Sequence, residues 1–100
     1  NRYCMDDFVR FIDKNYVFFN THKNALIPGR VEDEHFWLLI GISTIHSKKV
    51  VMSMQDYLVH GIPRKNVCEK YKLSHSYFDN SLARLHRISC LITGLIKYYS

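Results

Sequence analysis

Apolar side chains recur every three or four residues along the last quarter of the chain, and this spacing constrains the fold more than any other feature. Positions three and four apart share one face of an α-helix, so the pattern predicts a long amphipathic helix from Ser74 to about Tyr98. Gly94 is its weak point. The stripe consists of Phe78, Leu82, Leu85, Ile88, Ile92, Leu95 and Tyr99.

Shorter helical segments precede this helix. Helical spacing predicts one over residues 4–14. Acidic residues 32–34 suit the start of a second, whose "HFWLLIGI" segment is apolar nearly all round and predicts a helix buried at the centre. Ser47 can cap a third helix that Gly61 ends, and Pro63 suits the first turn of a short fourth.

No strand-like alternation or hairpin turn follows residue 30. We therefore expect an all-α fold, a small helical domain of about five helices that contains a helix-turn-helix and a long C-terminal helix. A chain of 100 residues suits one compact core. The Pro28–Gly29 turn predicts a division into an N-terminal helical appendage, residues 1–29, and a helix-turn-helix DNA-binding domain, residues 30–100.

Several classes of function find little support. The three cysteines, Cys4, Cys68 and Cys90, show no C-x-x-C spacing, so we expect neither a metal site nor a disulfide framework. Cys68 with His75 or His86 lacks an orienting third group, and we predict no catalysis and no cofactor. The longest apolar run is too short for a membrane span, and no signal peptide is expected because residues near the N-terminus are charged.

Charge is distributed unevenly along the chain. Residues 1–46 contain five Lys/Arg and six Asp/Glu, whereas residues 47–100 contain nine and three. A cationic half favours a polyanionic partner, with nucleic acid ahead of an anionic membrane. A solvated basic surface without a partner is the alternative that charge alone leaves open.

The segment "RKNVCEKYKLSHSYFDNSLARL", residues 64–85, has the pattern of a helix-turn-helix. Cys68 is the small residue at the helix crossing, Ser74 caps the second helix, and apolar residues lock the two helices together. Compact or planar hydrogen-bonding groups remain on the outer face of the second helix, which suits a DNA groove. The structural residues are Cys68, Leu73, Phe78 and Leu82, with Val67 and Tyr71; the outward residues are His75, Ser76, Tyr77, Asn80 and Arg84.

Two residues depart from the usual motif. Lys72 stands where the turn often has glycine, and Asp79 places a negative charge on a helix that would approach phosphates. A plain corner between two core helices therefore remains an alternative.

Three segments carry a resemblance to a known family: "LIPGRVEDEHFWLLIGISTIHSKKV", "MQDYLVHGIPRKNVCEKY" and "YFDNSLARLHRISCLITGLIKYY". They resemble the PapB-like adhesin biosynthesis regulators of enteric bacteria. The resemblance covers residues 26–99, and no match is found for residues 1–25. It implies a small, helical, homo-oligomeric transcription regulator that binds AT-rich DNA repeats near fimbrial promoters, contacts the minor groove and helps to set phase-variable expression.

The resemblance also implies roles for particular residues. A narrow A-tract minor groove attracts arginine, and Arg64 in "RK-x-VCEKY" is the first choice for that contact. We expect Cys68, one turn later, to orient the helix. The remaining cations would bind phosphates and set affinity; they are Lys65, Lys72, Arg84 and Arg87.

The apolar C-terminal stretch "ISCLITGLIKYY" either associates with another copy or folds back on the same core. We thus predict a cytoplasmic, nucleoid-associated bacterial regulator whose partners are double-stranded AT-rich DNA and further copies of itself, with no membrane and no small-molecule ligand. The alternative is a helical protein–protein interaction module that does not bind DNA directly.

Overall fold

A computed structural model describes residues 26–99 of the chain. The helix predicted over residues 4–14 lies outside the described residues, as does most of the predicted appendage. Within residues 26–99 the fold is entirely helical, and these residues include no strand. This confirms the predicted all-α class. The elements are α1 (Asp33–Ile42), α2 (Lys48–Leu58), α3 (Arg64–Tyr71), α4 (His75–Leu95) and a 3₁₀ turn (Ile96–Tyr98).

Helix α1 buries one face only. Phe36 and Leu39 are buried, whereas Leu38 and Ile42 are more than 60% exposed and Trp37 is 42% exposed. The prediction of a helix buried at the centre was therefore wrong. Helix α1 packs against α2 and α4, and in a domain this small those contacts cover one side of it.

Helix α2 begins and ends as the sequence predicts. The Ser47 hydroxyl accepts a hydrogen bond from the backbone N–H of Val50 at 3.4 Å, which satisfies one of the unpaired N–H groups at the helix start. After Leu58 the chain turns through Gly61, which has a φ of 74°. Glycine adopts this left-handed conformation without the steric cost of a Cβ atom.

The Pro28–Gly29 turn packs against the end of α2. The backbone N–H of Gly29 donates to the carbonyl oxygen of Tyr57, and that of Val31 donates to Leu58, both at 3.2 Å. A Cβ atom on Gly29 would lie 3.2 Å from the Cα of Gly61. The turn is thus held against the core; the division of the chain at residue 29 stays a prediction.

Helices α3 and α4 meet at a tight corner. Pro63 is the N-cap of α3, and Lys72 follows the helix in a left-handed conformation, with φ 56° and ψ 48°. The Ser74 hydroxyl accepts from the N–H of Tyr77 at 3.1 Å and caps α4. Helix α4 runs to Leu95, directly after Gly94, and a 3₁₀ turn covers the rest of the predicted helix.

The core lies between all four helices. Its largest fully buried side chains are Phe36, Met54, Leu58, Phe78 and Leu85. Burial falls off along the stripe of α4, because Leu82, Ile88 and Ile92 are half-buried and Leu95 and Tyr99 are exposed. Among the described residues, no helix has the length and apolar character needed to cross a membrane.

Candidate nucleic-acid interface

The corner between α3 and α4 is closed by buried apolar side chains. Cys68 is 2% exposed and Phe78 fully buried, and the Phe78 ring meets Tyr57 edge to face at 5.5 Å. Leu73 and Leu82 are half-buried and pack against the same core. Burial raises the pKa of the Cys68 thiol, which disfavours the reactive thiolate.

Lys72 explains how the corner forms without the usual glycine. Its backbone N–H donates to the carbonyl oxygens of Cys68 and Glu69, and the N–H of Leu73 donates to Cys68 at 2.9 Å. These bonds satisfy the last carbonyls of α3 in the manner of a left-handed helix cap. Lysine thus occupies a backbone conformation that glycine adopts with less strain.

The first turns of α4 present an exposed polar surface. His75, Ser76, Tyr77 and Asn80 are all exposed, and Ser74 is exposed at the N-cap. Ser76 and Asn80 are four residues apart and share one face of the helix. The structure therefore places these sequence-predicted residues together, on a surface open to a flat or grooved partner.

Arg84 lies further along α4 and is held by another part of the chain. Its Nη2 atom donates a hydrogen bond to the hydroxyl of Thr44, in the segment between α1 and α2. Arg84 is exposed, whereas Arg87 is half-buried. The contact ties the α1–α2 segment to the side of α4 that also presents Tyr77, seven residues earlier.

Lys48 and Lys49 lie close behind Thr44 and were missed by the sequence analysis. Both are exposed in the first turn of α2. The hydrogen bond between Thr44 and Arg84 holds the segment just before this turn against α4, and we therefore add these two cations to the predicted set. The lysine pair directly after the Ser47 cap was the available signal, but only the tertiary contact links it to α4.

The opposite side of α4 is joined to α3 by an ion pair. Arg64 donates from Nε to Oδ1 of Asp79 at 2.8 Å and from Nη2 to Oδ2 at 2.7 Å. These hydrogen bonds lower the pKa of the Asp79 carboxyl and raise the pKa of Arg64. Asp79, which looked unfavourable for a helix near phosphates, is therefore neutralised locally by the arginine predicted to read DNA.

The remaining cations of the motif differ in their surroundings. Lys65 and Lys72 are exposed on and after α3. Lys70 instead donates to Oδ2 of the buried Asp56 at 3.0 Å. Lys70 thus has a structural partner, although it contributed to the basic bias of the sequence.

The described residues hold no cluster suited to a metal ion: residues 26–99 include no group of three or more His, Cys, Asp or Glu side chains placed for one.

His86 is half-buried, and burial lowers its pKa. Burial disfavours the charged form of an imidazole, which is the direction of this shift.

Together, the corner of α3 and α4, its polar outer face and the surrounding cations define a small helix-turn-helix protein. The model of the PapB family, described as adhesin biosynthesis transcription regulatory proteins, matches residues 9–99. The chain belongs to this family, which is a class of transcription regulators and not of enzymes. The resemblance inferred from the sequence is confirmed, and it begins earlier than the expected residue 26.

Relatives and a solved structure agree with this assignment. The major pilus subunit operon regulatory protein PapB of Escherichia coli is 46% identical over 86% of this chain and 83% of its own length. The AFA-III adhesin operon regulatory protein of the same organism is 38% identical over 80% and 79%, respectively. The crystal structure of E. coli FocB matches with a TM-score of 0.76 and 43% identity, covering 88% of this chain and 99% of FocB.

Proposed function

We propose that this protein is a sequence-selective DNA-binding regulator of a fimbrial or adhesin operon and acts at the nucleoid in the bacterial cytoplasm. The observation that carries the proposal is the exposed polar start of α4, with cations on both sides of it, in a chain of a regulator family. Arg64 and Lys65 lie on the α3 side. The exposed Lys48 and Lys49 follow the α1–α2 segment that Thr44 joins to Arg84.

The DNA in this proposal is AT-rich and is read by Arg64 through the minor groove. A narrow A-tract groove concentrates negative potential and attracts arginine. Arg64 is the first residue of α3, and its side chain is 38% exposed. Cys68, one turn later and buried, fixes the orientation of the helix that carries it.

Phosphate contacts would set affinity and register rather than base preference. Five exposed cations and the half-buried Arg87 suit this role, and Ser74 offers the capped start of α4. His75, Ser76, Tyr77 and Asn80 then line the surface that faces the DNA. The proposed phosphate-contacting residues are Lys48, Lys49, Lys65, Lys72, Arg84 and Arg87.

Oligomerisation along repeated sites completes the proposal. The exposed apolar residues Trp37, Leu38 and Ile42 on α1 offer a contact surface, as do the exposed residues after Gly94. Linking several weak DNA contacts raises avidity without new chemistry. This arrangement suits a small module that must select repeated sites, including those of a phase-variable promoter.

A binding experiment tests the proposal. Fluorescence anisotropy with an A-tract duplex and a GC-rich duplex of equal length should show preference for the A-tract. The logarithm of the binding constant should fall with the logarithm of salt by about 0.9 per phosphate contact. Arg64→Ala should abolish the A-tract preference, and a small minor-groove ligand should compete.

Other outcomes of this experiment contradict parts of the proposal. Flat salt dependence or absence of binding would remove the DNA-binding role. If methylation of bases in the major groove weakened binding and the minor-groove ligand did not compete, base reading would be assigned to His75–Asn80 on α4. The exposed apolar face of α1 favours one alternative, a protein–protein interaction module. That module would self-associate or bind protein while leaving both duplexes unbound.

A further inference from the structure

The ion pair with Asp79 occupies one edge of the Arg64 guanidinium, which DNA can also bind. Nε and Nη2 both donate to the carboxylate, one to each oxygen, at 2.8 and 2.7 Å. Arginine can bind a phosphate with two parallel hydrogen bonds through this same edge. In the protein without DNA, the arginine that we propose as the reader is therefore engaged by its own chain.

The pair is not required to hold α3 against α4. Its side chains are 38% and 48% exposed, and solvent screens exposed ion pairs strongly, so that they contribute little to stability. Val67, Cys68 and Phe78 already join the two helices within the core. The pair lies at the exposed start of α4, beside the proposed DNA-facing residues, and can be exchanged without unfolding the corner.

Both partners remain charged near neutral pH. The hydrogen bond from Arg64 lowers the pKa of Asp79, and the nearby His75 acts in the same direction. The hydrogen bond to Asp79 raises the pKa of Arg64. The carboxylate therefore cancels the charge of Arg64 until another anion replaces it.

We propose that Asp79 competes with DNA for Arg64 and thereby lowers the affinity of each copy of the protein for a single DNA site. The inference rests on the proposed function. For Arg64 to present its Nε–Nη2 edge to a groove or a phosphate, DNA must displace Asp79, whose carboxylate is then left close to the phosphate charge. A weakened single contact makes stable binding depend on several neighbouring sites.

The test compares two substitutions that each remove one negative charge. Asp79→Asn retains the size of the side chain and releases Arg64. Glu69→Gln removes an exposed carboxylate from α3 and serves as the matched control. On a duplex with one site, Asp79→Asn should raise affinity about two- to fivefold, as expected for loss of an exposed competing pair, and should exceed the effect of Glu69→Gln. The salt slope should steepen by up to about 0.9.

The same substitutions in an Arg64→Ala background separate competition from general charge. Without Arg64, Asp79→Asn should act no more strongly than Glu69→Gln. The inference would be overturned if Asp79→Asn still raised affinity more than Glu69→Gln in the Arg64→Ala background, or if the two substitutions had equal effects in the wild-type background. Weaker DNA binding by Asp79→Asn would also overturn it and would show that Asp79 positions Arg64. Circular-dichroism melting checks that the variants fold.

The two proposals fail in different ways in this experiment. Salt-dependent binding by the wild-type protein with no gain from Asp79→Asn overturns the competition and leaves the DNA-binding role intact. No binding by the wild-type protein overturns both.

Discussion

The hydroxyl of Tyr71 donates a hydrogen bond of 2.8 Å to Oδ2 of Asp56 and joins the end of α3 to the interior of α2. Lys70 donates to the same oxygen at 3.0 Å. Asp56 is only 7% exposed, and a buried carboxylate requires such donors. This contact fixes α3, and with it Arg64, relative to the core.

Tyr71→Phe should therefore lower the free energy of unfolding by about 1–2 kcal/mol, because it removes a donor from a buried charge. Urea denaturation monitored by circular dichroism measures the change. The control is Tyr77→Phe, since Tyr77 is 51% exposed on α4. Equal effects of the two substitutions would show that the bond to Asp56 does not stabilise the fold.

Acid should remove the stabilisation provided by Asp56. Burial alone would raise its pKa, but the hydrogen bonds from Tyr71 and Lys70 and the charge of Lys70 outweigh this effect and lower the pKa below 3.8. The stabilisation is then fully present above pH 3.8 and is lost as pH falls through the lowered pKa of the folded state.

Denaturation between pH 6 and pH 2 measures this loss. Asp56→Asn should flatten the decrease of unfolding free energy below pH 3.8 relative to the wild-type protein. If the free energy of unfolding fell equally steeply with pH in both proteins, Asp56 would not be the group responsible for the loss of stability.

Lys72→Gly should stabilise the protein by roughly 0.5–1 kcal/mol, because glycine adopts the left-handed conformation of this residue without a Cβ clash. Lys72→Ala removes the same charge but keeps the Cβ atom, and should give no such gain. Thermal melting distinguishes the two variants. Stabilisation by both would point to relief of charge repulsion instead of backbone strain.

Gly29→Ala should destabilise the protein by about 1–3 kcal/mol. Its φ is 76°, and the added Cβ would lie 3.2 Å from the Cα of Gly61, where backbone must shift. Gly41→Ala is the matched control. Beyond its chain neighbours and the backbone of its own helix, nothing lies within 4 Å of a Cβ placed there, and alanine favours α1 by up to about 1 kcal/mol. If the two substitutions changed the free energy of unfolding in urea with the same sign, the close contact between the turns at Gly29 and Gly61 would be contradicted.

Replacement of Lys48 and Lys49 by glutamine should reduce the slope of log K against log salt by up to about 1.8, which corresponds to two phosphate contacts. Lys97→Gln is the control, because Lys97 lies in the C-terminal 3₁₀ turn. Arginine at both positions should retain the wild-type slope. A slope unchanged by glutamine would exclude the α2 start from the interface.

Local sequence signals predicted much of this fold because they act over a few residues. Ser47 and Ser74 cap helices where their hydroxyls reach N–H groups three residues on, and Gly61 follows α2 in the conformation that glycine tolerates. The period of the C-terminal stripe placed α4 correctly up to Leu95. The prediction that α1 is buried on all sides was wrong, because apolar residues on every face do not show which face the rest of the domain covers.

By itself, the sequence determined the helical class, the position of the α3–α4 corner and the family, since helical period, capping and signature motifs are properties of neighbouring residues. Only the tertiary structure decided which partners the charged side chains meet. It paired Arg64 with Asp79, Lys70 with Asp56, and Arg84 with Thr44, across separations of 14 to 40 residues. Such contacts depend on how helices pack, and packing is set by the buried surfaces of the whole domain rather than by any one segment.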